Sequence, residues 1–254
     1  MLRRATTFGA CALLSLTLVS CVPEGPPTTA DAGAAQPARP ASTRPQTKAP
    51  SAPLVPPGPP ITAPWEDTFD RAELGEDWNA LSPGWRIDGG KLCGKNARNR
   101  GVWLRRRLPV NARIEFDAYA ESPIGDLKVE LWGDGQSGAT STSYTNATSY
   151  LAIFGGWRNS KHVLARIDEH GDDRLEIDVD PKSDDERERP VSAGQSYRFK
   201  IERADGKTIV WSINGVEYFT FTDPEPLAGP GHEHFGFNDW EVPVCFDNLK
   251  VTPL

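Results

Sequence analysis

Apolar and polar residues alternate in short runs through most of the chain. Arg113-Ile114-Glu115-Phe116-Asp117-Ala118 is one such run, and Asp126 to Leu131 (DLKVEL), His162 to Asp168 (HVLARID) and Ser196 to Glu202 (SYRFKIE) repeat the same period. A two-residue period sends successive side chains to opposite faces, so each run predicts a strand with one buried and one wet face. Asp205-Gly206 separates FKIERA from TIVWSI, and Asn214-Gly215 separates that run from VEYFTF. Both pairs supply the positive φ of tight hairpins, so three antiparallel strands are predicted between Ser196 and Thr222. Near the end, Val244, Phe246 and Asn248 alternate with Cys245, Asp247 and Leu249, and a strand over Glu233 to Asn238 leads into this one. A closing strand needs a partner already formed; Trp65 to Gly94 is the expected one, so the two ends of the domain should lie side by side. About 12 strands with no amphipathic helix predict an all-β fold of two packed antiparallel sheets.

Trp85-Arg86-Ile87-Asp88-Gly89-Gly90-Lys91-Leu92, the hairpin Ile209-Val210-Trp211-Ser212-Ile213-Asn214-Gly215 and the closing Phe246-Asp247-Asn248-Leu249-Lys250-Val251 carry a family likeness. Together they resemble the concanavalin A-like lectin/glucanase jelly roll, nearest to the 3-keto-disaccharide hydrolase-like and laminin G-like domains of bacterial surface proteins. The resemblance spans most of Trp65 to Leu254 and rests on turns and core strands. It implies a curved front sheet whose concave face and rim loops hold the ligand. Lectins, glycosidases and adhesion modules share this fold, so it does not choose among them.

The first residues have another character. Arg3 and Arg4 precede an uncharged apolar run, Phe8 to Val19. Its 12 residues fall short of the roughly 20 that cross a bilayer as a helix, so residues 1–20 read as a secretion signal. Leu18-Val19-Ser20-Cys21 resembles the lipobox of bacterial lipoproteins. That resemblance implies cleavage before Cys21 and acyl chains on it that moor the chain to a membrane. Val22 stands where an inner-membrane retention acid would be, which favours the outer membrane. The alternative is an ordinary signal peptide with a cysteine near its cleavage region. Thirteen of the 23 prolines lie between Val22 and Pro64, with no aromatic residue. Such a composition cannot offset its chain entropy by burial, so residues 21–64 are expected to be a disordered tether.

Residues 65–254 hold all eight tryptophans and all four histidines, enough for one sizeable core. The formal net charge of −7 becomes −9 once the signal and its two arginines are removed, which argues against a nucleic-acid partner. A monomer is expected. With Cys11 lost in the signal and Cys21 lipidated, Cys93 and Cys245 remain in an oxidising compartment and are expected to bond, two separate thiols being the alternative.

Candidate chemistry is sparse. In Glu176-Ile177-Asp178-Val179-Asp180 the three acids share one face of a strand, as do the acids of laminarinase-type glucanases, which this motif resembles. The third acid is one methylene short, the lead-in Arg174-Leu175 differs, and Asp184, Asp185, Glu186 and Glu188 follow closely. A solvated acidic edge is therefore the expectation, with catalysis by Glu176, Asp178 and Asp180 the alternative. His232 and His234 form a His-x-His pair, and His162 and His170 flank VLARIDE; zinc is conceivable, hydrogen-bonded loop histidines are expected. Asp168, Glu169, Asp172 and Asp173 crowd one turn without EF-hand spacing, so no cofactor is expected and calcium is the alternative.

The aromatics suit a binding face better. Trp157 follows Phe154-Gly155-Gly156 and Trp240 follows Asn238-Asp239, where rim residues would lie. Sugar rings stack on indole while amides, acids and arginine bond their hydroxyls, so Trp157, Arg158, His162, Arg166, His234, Asn238, Asp239 and Trp240 are the expected ligand site. Both tryptophans could equally be core. The loop Gly133 to Ala147 is either a flap beside the site or a plain connection, and its glycines cradle no phosphate because no helix follows. The expectation is a membrane-tethered, non-catalytic glycan-binding or adhesion module. The alternatives are a glycoside hydrolase and a structural envelope protein.

Overall fold

A computed structural model of the chain describes residues 58–254. The expected signal, Cys21 and most of the expected tether lie outside the described residues. Fifteen strands form two sheets in which every strand pairing is antiparallel. The first contains β1 (Trp65–Asp67), β3 (Arg86–Asp88), β4 (Lys91–Gly94), β6 (Ala112–Ala120), β11 (Ser196–Arg203), β12 (Thr208–Ile213), β13 (Val216–Thr222) and β15 (Val244–Pro253). The second contains β2 (Trp78–Ala80), β5 (Val102–Leu104), β7 (Leu127–Gly133), β8 (Tyr150–Gly155), β9 (Lys161–Arg166), β10 (Leu175–Asp178) and β14 (His234–Asn238).

The closing strand does what its pattern requires. One half of β15 pairs with β4 and the other with β1, while β6 lies along its opposite side. Its alternation breaks once: Asn248 adopts φ 50° and the register shifts between Asp247 and Lys250. This bulge resets the phase, so Leu249 and Val251 point inward with Phe246 while Asn248 is exposed, against the strict alternation expected. The strand β14 leads into β15 in sequence but belongs to the other sheet, between β7 and β5. Cys93 and Cys245 stand directly opposite each other on β4 and β15, with Cα atoms 4.0 Å apart, and are disulfide-bonded across a sequence separation of 152. For so long a loop the chain-entropy model assigns the bond about 5 kcal/mol.

Between the sheets lies an aromatic core. Phe237 stacks on Phe246 at 4.2 Å and meets Phe116 edge-on at 5.2 Å, and Phe116 stacks on Phe199 at 4.8 Å. Each such buried ring contributes about 2 to 3 kcal/mol of transfer free energy. The folded part also begins before Trp65. The backbone amides of Gly58 and Ile61 donate to the carbonyls of Arg105 and Arg107, and Ile61 is buried in the core. Residues 58–64, assigned to the tether by composition, thus belong to the sandwich because Ile61 gives them something to bury.

The outer face of the second sheet departs from the pattern. Lys128 and Glu130 alternate with inward-facing Leu127, Val129 and Leu131, yet they are 3% and 0% exposed. The segment 134–149 covers this face: its Tyr144 and Ala147 pack on Leu151, Ile153, Val163 and Ala165 in an apolar cluster separate from the main core.

Candidate functional site

At one end of this covered face the chain passes from β8 to β9 through an unusual turn. Gly155 (φ 74°), Trp157 (φ 49°), Arg158 (φ 60°) and Asn159 (φ 64°) all occupy the left-handed region. Glycine adopts it freely and asparagine at small cost, whereas Trp157 and Arg158 give up about 1 to 2 kcal/mol each. Asn159 holds the turn in place. Its Nδ2 donates to the carbonyls of Pro123 (2.9 Å) and Val191 (2.8 Å), and its Oδ1 accepts from the Val191 amide (3.0 Å). The Trp157 ring meets His170 edge-on at 5.6 Å and carries the Arg174 guanidinium 4.9 Å from its centre.

A second loop, just after β14, presents Trp240. Its amide donates to Asp126 (3.1 Å), and the Arg98 guanidinium lies 4.7 Å from the indole centre. Arg98 also pairs with Glu241 at 2.6 Å. Trp157, Arg158 and Trp240 together line a cavity of about 380 Å³, which Ile153 and Lys128 of the sheet, Thr142 and Ser143 of the covering segment, and Asn99, Glu169 and His170 complete.

The cavity floor is a polar network that is almost wholly paired. Lys128 Nζ donates to Asn99 Oδ1 (2.8 Å) and Glu169 Oε2 (2.9 Å), with Asp126 3.8 Å away. Burial works against the ammonium, but the surrounding Asp126 and Glu169 outweigh it and hold the Lys128 pKa above its ordinary value. Deeper, Glu130 accepts from Tyr144 Oη (2.8 Å), Ser149 Oγ (2.8 Å) and Asn238 Nδ2 (2.6 Å). Burial nevertheless pushes its carboxyl up to about 7. Burial also raises Asp239 to about 7, aided by the nearby negative charge of Asp126. One Asp239 oxygen accepts from the Ala97 amide at 3.0 Å; the other is buried with no hydrogen-bond partner.

Of the residues expected to hold ligand, the structure therefore brings Trp157, Arg158 and Trp240 to one cavity. Asn238 and Asp239 lie beneath it, joined by a hydrogen bond from the Asp239 amide to Asn238 Oδ1 (2.7 Å). Three others are elsewhere. The register of β9 sends His162 inward, where it stacks on Phe154 at 4.4 Å and accepts from the Gly155 amide at 2.9 Å. Its burial lowers the imidazole pKa to about 4, and it reaches no surface. Arg166 is engaged by Asp223 (2.8 Å) and the Glu225 carbonyl (2.9 Å). His234 bonds the Leu104 carbonyl (2.9 Å) at the end of β14 remote from Trp240.

The histidine pair 232/234 splits, since His232 bonds the Thr148 carbonyl (2.8 Å). In the acidic turn Asp168 caps the His170 amide (2.8 Å) and Glu169 serves Lys128. Among the described residues no three His, Cys, Asp or Glu side chains converge to hold a metal ion. On β10, Leu175 and Ile177 pack against the core and Glu176 and Asp178 point outward, as alternation requires. Glu176 is clamped by Lys161 (2.5 Å) and Arg174, and the hydrogen bonds from these cations hold its pKa below the usual range. The Asp178 side chain is 90% exposed, and Asp180 lies beyond the strand, capping the Lys182 amide (2.9 Å). The three acids do not form one paired constellation.

Sequence reasoning missed Asn99, Asp126, Lys128, Glu130 and Glu169 as a unit. The alternation in DLKVEL located Lys128 and Glu130 on a common face but marked that face as wet, and nothing in SGATSTSYTNA announces that Tyr144 covers it.

No protein-family model matches the chain, and no curated protein sequence does. Among solved structures it is similar to a Bacillus subtilis protein with a galectin-like fold, at 14% identity over 74% of this chain and 94% of that one, with a TM-score of 0.51. It is similar to a β-glucanase of Bacillus licheniformis, at 9% identity over 76% of this chain and 99% of that one, TM-score 0.51. It is also similar to part of a sialidase, at 14% identity over 75% of this chain and 18% of that one, TM-score 0.50. At such identities the likeness concerns the fold, which is a concanavalin A-like antiparallel sandwich.

Proposed function

We propose that the protein is a cell-envelope lipoprotein, moored to the outer membrane through acyl chains on Cys21, whose sandwich displays a non-catalytic carbohydrate-binding or adhesion site. The observation that carries this reading is the placement of Trp157 and Trp240, from two separate loops, on one polar-floored cavity of about 380 Å³. Indole faces receive the apolar face of a sugar while the rim supplies hydrogen bonds, and the volume lies in the range of small-ligand sites. The β-glucanase and sialidase that share the fold make a glycan the natural ligand class to test.

The carboxylates lining the cavity are engaged: Glu169 serves Lys128, Glu241 serves Arg98, and Asp126 receives the Trp240 amide. A glycan array followed by a reducing-sugar release assay tests the reading. Binding without release, lost about tenfold or more in Trp240→Ala, is the expected result. Release that disappears in Glu176→Gln would instead support a hydrolase using Glu176, Asp178 and Asp180, and absence of both binding and release a structural envelope role.

A further inference from the structure

Resting on that reading, we propose that the cavity selects an acidic sugar and that Arg158 is the specificity-determining residue, its guanidinium receiving the sugar's carboxylate. Most charges around the cavity are already matched. Lys128 is spent on Asn99 and Glu169, Arg98 on Glu241, and Arg174 on Glu176 and the Glu169 carbonyl (2.8 Å). Arg158 differs: it is exposed on the cavity rim, and among the described residues no carboxylate lies within ion-pairing distance of it. Its five donors form a planar fork that matches a carboxylate bidentately, which a sugar hydroxyl does not.

The backbone gives the second reason. Arg158 lies between Trp157 and Asn159 in three successive left-handed residues, of which Trp157 and Arg158 are types that seldom adopt that region. Glycine would relieve that strain, so folding alone gives no reason for arginine here. Strain of this kind gathers at ligand clamps, where the surroundings over-determine the geometry. Asn159 supplies that constraint through Pro123 and Val191, and the result sets an indole and an unpaired guanidinium on adjacent residues at one cavity. The stacking surface and the anion receptor come as one rigid unit.

The test uses a matched pair of ligands, a hexuronate-containing oligosaccharide and the same oligosaccharide with its carboxyls reduced to alcohols, titrated calorimetrically into the full mature chain in detergent. The wild type should bind the acidic form at least tenfold more tightly, and the preference should shrink as salt is raised. Arg158→Gln should abolish the preference, weakening the acidic form tenfold or more and the reduced form by much less. Arg158→Gly should do the same with an unchanged or higher Tm, which separates a ligand role from a structural one. Equal affinity of the wild type for both forms, or equal weakening of both by Arg158→Gln, overturns the acidic assignment while leaving the sugar site standing. If neither form, nor any glycan of an array, binds the wild type, the site reading fails and the assignment falls with it.

Discussion

Glu130 offers a direct measure of how much the covered sheet face costs. It is fully buried beneath Tyr144, and burial lifts its carboxyl from 4.5 to about 7. A raised acid stabilises the fold fully below its unfolded pKa, and that stabilisation is lost as pH rises through the folded value. Between pH 5 and 8 the loss comes to on the order of 2 to 3 kcal/mol, at about 1.4 kcal/mol per pKa unit. Asp239, raised to about 7, acts in the same direction. His162 opposes both: lowered from 6.5 to about 4, it contributes stability above pH 6.5 that is lost as pH falls toward 4. The raw pH profile therefore mixes signs, and the informative quantity is the difference between the wild type and Glu130→Gln. The amide fits the same partners, since Asn238 Nδ2 still finds an acceptor and the Tyr144 and Ser149 hydroxyls can turn to accept. At pH 5 the variant should match the wild type closely; at pH 8 it should be more stable by roughly the amount above. Guanidinium unfolding with the disulfide intact, extrapolated at each pH, reads this out. Parallel pH profiles for the two proteins would show that Glu130 is ionised in the folded state and refute the argument.

Replacing both Cys93 and Cys245 by serine should lower the unfolding free energy by up to about 5 kcal/mol, seen as a lower guanidinium midpoint with strand content retained by circular dichroism. Gly125 lies at φ 77° with its Cα side pressed against the Gly155 carbonyl, so Gly125→Ala should destabilise by about 1 to 3 kcal/mol and displace the Trp157 turn, measurable as a lower Tm and altered tryptophan fluorescence. Lys128→Met strands Glu169 and Asp126 without their cation and should cost about 3 to 5 kcal/mol; a Tm equal to the wild type's would mean that the network is not what seats the covering segment.

How far the fold could be read from the chain follows from which interactions are local. Strand period and turn chemistry act between neighbours, so the runs around Phe116, Phe199 and Val163 and the turn Asn214-Gly215, at φ 51° and 84°, were legible, and so was the partner of β15. The Asn248 bulge broke the alternation because one left-handed residue shifts every later side chain to the other face. The site was legible only in part. Trp157, Arg158 and Trp240 were marked by their glycine and polar settings, whereas His162 shares its strand with outward-facing neighbours and only the register of β9 decides that it faces the core.

The sequence by itself determined the class of fold and its strand-rich folded region, because hydrophobic periodicity and turn residues need no distant information; it offered Cys93 and Cys245 as a pair, and the facing register of β4 and β15 decided the bond. Only the tertiary structure decided that Lys128 and Glu130 are buried and that Asn99, Asp126 and Glu169 gather around that lysine beside Trp240. Whether a polar strand face meets water or protein depends on a segment elsewhere in the chain, here the one carrying Tyr144, and no local pattern of residues encodes that contact.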